Sequence, residues 1–132
     1  MIRVVINAES RYPVARRKLR AEVVDFLEGA GVTEASNIEV EINFVGARKM
    51  KKLNKEFLNK NEATDVLSFG VEEGEGKKKF IEPKQKFLHL GSVAVCYPRA
   101  QEQANERNVM VDEEVGELVK HGLKHLLGIH HD

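Results

Sequence analysis

The residues Ile38-Glu39-Val40-Glu41-Ile42-Asn43-Phe44 alternate strictly between apolar and polar side chains. Successive side chains of a strand point to opposite faces, so a period of two describes a strand with one face in a core and the other in water. Such a strand needs neighbours in a sheet and a layer to cover its apolar side. Ile2-Arg3-Val4-Val5-Ile6-Asn7, Val66-Leu67-Ser68-Phe69 and the run from Phe87 to Cys96 read as further strands. Between them the apolar residues return at helical spacing. Val14, Leu19, Val23, Val24, Phe26 and Leu27 follow Pro13, which suits a first helical turn, and Gly29 and Gly31 stop that helix. Met50, Leu53, Phe57 and Leu58 mark a second helix over Ala47 to Leu58. Pro98 opens a third through Asn108. Asp112 caps the last one, with Glu113 and Glu114 in the first turn, where the helix dipole favours acids. That helix is expected to run to about Leu127, where Gly128 can end it. Glu72 to Lys86, rich in Gly, Glu and Lys, reads as a mobile hairpin loop. The order predicts an α+β fold, a small mixed four-stranded sheet packed with about four to five helices. The 132 residues, 42% of them hydrophobic, suffice for a single domain over 1–132.

Charge is balanced overall, 21 Lys and Arg against 21 Asp and Glu, so bulk charge does not announce a nucleic-acid binder. Its distribution is uneven. Arg48 to Lys60 holds six basic residues and one Glu, Arg11 to Arg20 holds five and no acid, and Glu102 to Glu117 is mostly acidic. Basic segments of this kind either gather into a phosphate-attracting patch or form solvated helix faces. The one cysteine, Cys96, excludes an internal disulfide, and its apolar neighbours describe a buried, inert thiol. No leader-like apolar stretch opens the chain and no run of about 18 apolar residues occurs, so a soluble cytoplasmic protein without a membrane partner is expected.

Four of the five histidines lie within His121-Gly122-Leu123-Lys124-His125-Leu126-Leu127-Gly128-Ile129-His130-His131. His121 and His125 are four apart, which on a helix stacks their rings on one face within reach of one metal ion. Neutral imidazole is a good zinc ligand. A Gly128 in the left-handed conformation turns the chain back and brings His131 to the same face, with His130 as its rival. This is the ligand spacing of the metzincin metalloproteases. Three protein ligands leave an open position, the mark of a catalytic rather than a structural zinc site. The glutamate that serves such proteases as general base is replaced by Gly122, so the metal is expected to serve another reaction or to use another base. A metal ion alone goes further with a phosphodiester, by activating water and polarising a phosphoryl oxygen. His89 is read as a surface or satisfied strand histidine.

These residues resemble a known family, the YbeY endoribonucleases of bacterial ribosomal RNA maturation. Its signature is similar to His-Gly-x-Leu-His-Leu-x-Gly-Tyr-Asp-His, matched by His121, Gly122, His125, Leu126, Gly128 and His131. A second signature is matched by Leu53 and Asn54, and then by Thr64-Asp65-Val66-Leu67-Ser68-Phe69. Leu90-Gly91 and the later Glu102, Gln103 and Ala104 also resemble the family. The resemblance implies a single-strand-directed endoribonuclease that uses one zinc ion (Zn2+) and acts on the 3′ end of small-subunit rRNA. It also implies a part in ribosome quality control, with the ribosomal small subunit as partner and no DNA. A metal-containing assembly factor that does not cut RNA, and a metallohydrolase of another class such as a peptidase, are the alternatives.

The chain departs from the family pattern where an arginine is replaced by Leu58, with Phe57 in the aromatic slot; Lys55, Lys60 or Lys124 is then the candidate cation for phosphate. Lys124, Ser92 and His130 also replace usual residues, and an end one residue after His131 is expected of a trimmed chain. Catalytic candidates are Glu117, Asp65, Ser68 and Lys124. Asp65 and Ser68 either line the metal cleft or serve turn and edge hydrogen bonds. Glu117, one turn before His121, either orients a ligand ring or faces solvent.

Overall fold

The structure is a computed structural model that describes residues 1–33, 37–58, 64–70 and 88–131, apart from the side chains at 58 and 129–131. The elements are β1 (Ile2–Ala8), α1 (Arg16–Gly29), β2 (Ile38–Val45), α2 (Ala47–Leu58), β3 (Val66–Gly70), β4 (Leu88–Cys96), α3 (Tyr97–Arg107) and α4 (Val111–His131). The expected α+β fold is present, with four strands and four helices among the described residues. The strands lie in the order β1-β2-β4-β3. β1, β2 and β4 run parallel, and β3 lies antiparallel to β4 at one edge, so the sheet is mixed. The β3–β4 pairing is that of a hairpin; the loop expected over Glu72 to Lys86 lies outside the described residues.

The alternation in β2 has the predicted consequence. Val40, Ile42 and Phe44 are buried, and the residues between them are half-buried. They join Val4 and Ile6 of β1 and Val93 and Val95 of β4 under Leu19, Val23 and Leu27 of α1, Ala100 of α3 and Val119, Leu123 and Leu126 of α4. On the other face α2 sets Met50 over Leu67, Phe69, Ala94 and Cys96. That helix covers only the β3–β4 half. Across the open half, Arg3 donates from Nε to Glu39 at 2.7 Å, and His89 Nδ1 meets the same carboxylate at 3.0 Å. His89 is thus a satisfied strand histidine.

β1 is the other edge of the sheet. Its outward carbonyls, alternate along the strand, accept from α1: Arg16 Nη1 donates to Ile6 at 2.6 Å and Arg20 Nε to Val4 at 3.4 Å. Two of the arginines in the basic stretch therefore shield a strand edge that would otherwise be open to pairing with another chain.

Three helix ends differ from expectation. α1 starts at Arg16, not Pro13. The Pro13 carbonyl accepts the Tyr97 hydroxyl at 2.6 Å and Tyr12 stacks on the Tyr97 ring, which pins this segment to α3 before the helix begins. Asp112 lies inside the first turn of α4 and is not its cap; the amides of Glu113 and Glu114 both reach the carbonyl of Met110. Finally, α4 does not stop at Leu127. It continues to His131, and Gly128 does not adopt a left-handed φ. A Cβ at Gly128 would meet nothing within 4 Å, so no neighbour forces the chain out of its helical hydrogen bonds there. No described helix is long and apolar enough to cross a membrane.

Candidate metal centre

α4 buries Val115, Val119, Gly122, Leu123 and Leu126 and exposes Glu117, His121, Lys124 and His125. His121 and His125 sit one turn apart on this exposed face, about 5–6 Å between Cβ atoms at such spacing. The position of His131 is in the helix; its side chain and that of His130 lie outside the described set. Among the described residues no group of three or more His, Cys, Asp or Glu side chains is arranged to hold a metal ion.

Ser68 is the one catalytic candidate that reaches the histidines: its Oγ is hydrogen-bonded to His125 Nδ1. A hydrogen on Nδ1 shared with Ser68 leaves Nε2 with the lone pair that a metal takes. In that tautomer the donor chemistry of this pair suits zinc. The other three candidates make no described contact with the histidine rings, although Glu117 and Lys124 share their face of α4. Asp65 accepts from Gln103 Nε2 at 3.0 Å, and its carbonyl accepts from Cys96, so it ties the start of β3 to α3. These contacts fit the hydrogen-bonding role among the two expected of Asp65. Glu117 is 60% exposed and lies 3.8 Å from Lys120 Nζ, facing solvent. Lys124 is exposed with no described partner, as is Lys55 on α2; Lys60 lies outside the described residues.

Gly122 has a second role that the sequence concealed. A Cβ there would stand 2.7 Å from Val93 Cγ1 and 3.1 Å from Cγ2, so α4 presses its backbone onto β4 at this point. A glutamate after the first histidine has no room, which removes the protease base on steric grounds as well as chemical ones. Cys96 is no ligand candidate either. It is buried on the α2 side of the sheet, and desolvation pushes its thiol above the usual value, keeping it neutral.

The sequence model of the family described as endoribonuclease YbeY matches residues 5–132. The chain belongs to the YbeY family. A YbeY endoribonuclease of Bacillus cereus strain B4264 is 36% identical over 110 residues, covering 81% of this chain and 70% of the relative. That of Macrococcus caseolyticus strain JCSC5402 is 39% identical over 104 residues, with 79% and 64% covered. A second Bacillus cereus relative, strain G9842, shares 38% over 94 residues, 70% of this chain and 60% of its own. The alignments thus span from 60% to 70% of these YbeY relatives. The solution structure of TM1509 from Thermotoga maritima has a similar fold, with a TM-score of 0.56 and 25% identity over 96% of this chain and 71% of that one.

Proposed function

We propose that this chain is a zinc-dependent endoribonuclease of single-stranded RNA. Its substrate is the 3′ end of small-subunit ribosomal RNA, cut in the cytoplasm during ribosome maturation and quality control, with the ribosomal small subunit as partner. The observation that carries the reading is the exposed His121–His125 pair with Ser68 on His125 Nδ1, in a chain of the YbeY family. His121, His125 and His131 would hold one zinc ion, which when bound supplies a Lewis acid and an activated water for phosphodiester hydrolysis. Ser68 orients the His125 ring. Lys124, or Lys55 on α2, supplies the positive charge for phosphate that Leu58 does not.

The protein stripped of metal and restored with zinc is expected to cut single-stranded fragments of that RNA end and to spare duplex. RNA that is bound yet uncut with every divalent ion would favour the assembly-factor alternative. Ser68→Ala is expected to weaken zinc binding about tenfold, the size typical of an outer-shell partner, with an unchanged circular dichroism spectrum.

For His131 to join the pair, the chain must leave the helix at Gly128. Glycine makes that change at little cost, whereas alanine favours the helix by up to about 1 kcal/mol and resists the left-handed conformation by about 1–2 kcal/mol more. Gly128→Ala is therefore expected to weaken zinc binding roughly 10- to 100-fold and to leave the melting temperature of the metal-free protein unchanged or higher. Zinc titration against a competing chelator reads this directly. Unchanged affinity would remove His131 from the ligand set.

A further inference from the structure

The half of the sheet face beside α2 carries a concavity that the imidazole pair does not use. It encloses about 220 Å3, with Glu41, Asn43, Phe57, Phe69, His89 and Ser92 among its lining residues. Drug-sized ligands fill pockets of roughly 300–1,000 Å3, so this one suits a single planar ring system. One wall is aromatic. Phe57 packs on Phe69 with centroids 5.0 Å apart, and it remains 42% exposed where Phe69 is buried. The floor is polar and acidic: Glu41 Oε2 and Asn43 Oδ1 both accept from Asn7 Nδ2. A carboxylate repels phosphate but accepts hydrogen bonds from the amino groups of a base edge. His89 commits Nδ1 to Glu39, which leaves Nε2 for a ligand.

Positive charge flanks this slot and does not fill it. A more open concavity shares Asn43 and Leu53 with the first and is lined by Lys49. Arg48, Lys49, Lys51, Lys52 and Lys55 of α2 are all exposed. The arrangement is that of a single-strand binding site, an aromatic platform beside a cationic track.

We infer that the slot holds one nucleobase of a single-stranded RNA, stacked on Phe57 with its edge toward Glu41, Asn43 and Ser92, while neighbouring phosphates lie along the lysines of α2. The choice of RNA rests on the ribonuclease reading above. Ser68 and Phe69 are consecutive on the edge strand β3 and face opposite sides of the sheet, Ser68 toward His125 and Phe69 toward Phe57. An RNA strand crossing that edge meets both the slot and the histidines.

The chain contains no Trp, so Phe57→Trp places one fluorescent reporter in the slot. In a His121→Ala background, where the RNA stays intact, short single-stranded oligoribonucleotides are expected to quench that fluorescence at low salt, and inorganic phosphate at equal ionic strength is not. Phe57→Leu, which keeps an apolar contact with Phe69, is expected to lower oligonucleotide affinity about tenfold with zinc affinity and circular dichroism unchanged. Undiminished affinity in Phe57→Leu, or equal quenching by phosphate, overturns the inference. A wild-type chain that binds RNA through Phe57 but cuts none would uphold the slot and refute the ribonuclease reading, so the two failures are separable.

Discussion

Replacing His121 by alanine is expected to reduce RNA cleavage to background and to weaken zinc binding by more than the roughly 10- to 100-fold that outer-shell changes cause, with no loss of fold. The expectation of an intact fold comes from position. The side chain of His121 is exposed on α4 and takes part in no described hydrogen bond or ion pair, and alanine is the better helix former. The loss of function comes from removing one of three proposed ligands. Glu117 makes a useful contrast on the same helix. Its carboxylate is 60% exposed with only a long contact to Lys120, so Glu117→Gln is expected to change neither stability nor cleavage measurably. Asp65→Asn differs again. It disturbs the hydrogen bond from Gln103 that joins β3 to α3 and is expected to lower the melting temperature more than the rate per folded molecule. Cleavage retained in pure His121→Ala protein, at the wild-type dependence on zinc, would sink the assignment of the metal centre.

Where a local pattern and the tertiary environment agree, the chain was readable from its residues alone. The period-two run of β2 is such a case, since its buried face coincides with the apolar residues; in α2 the spacing places the helix, but of its stripe Met50 is buried while Phe57 stays exposed. The His121–His125 face was readable for the same reason: Leu123 and Leu126, on the opposite side of the helix, are the residues the core takes. What could not be read depends on distant backbone. Gly122 looked like an absent catalytic base, and only the approach of Val93 shows that it is a contact surface. Arg16 and Arg20 read as part of a phosphate patch or of a solvated helix face, because nothing in their own segment shows that the carbonyls of an edge strand lie beside them. Gly128 fits two conformations equally well by local rules. A glycine can end a helix or be carried through it, and here the helix continues.

Gly91→Ala is expected to destabilise the protein by about 3 to 5 kcal/mol, the sum of two separate effects. The first is backbone strain. Leu90 is the extra residue of a bulge between β2 and β4, since Glu39 pairs with His89 and Val40 with Gly91, and Gly91 takes φ +145°, a conformation that disfavours any side chain. The second is overlap. A Cβ at this position would lie 2.4 Å from the Phe69 carbonyl oxygen and 2.8 Å from Leu126 Cδ2. The first of these neighbours is backbone of the adjoining strand and cannot rotate away. β3, β4 and α4 would have to part for the methyl group to fit. Folded domains hold only about 5–15 kcal/mol of stability, so the melting temperature should fall by roughly 10 to 20 °C. The damage extends to the metal centre, because Leu126 follows His125 on α4 and β3 carries Ser68. Zinc affinity measured well below the new melting temperature is thus expected to fall as well. Gly29→Ala serves as the control. It lies at the end of α1 with no atom within 4 Å of a new Cβ and no positive φ, so its effect should stay within about 0.5 kcal/mol. If Gly91→Ala melted as late as that control and bound zinc as tightly as the wild type, the close meeting of β3, β4 and α4 at Gly91 would be wrong, and with it the reason that Ser68 and His125 face each other.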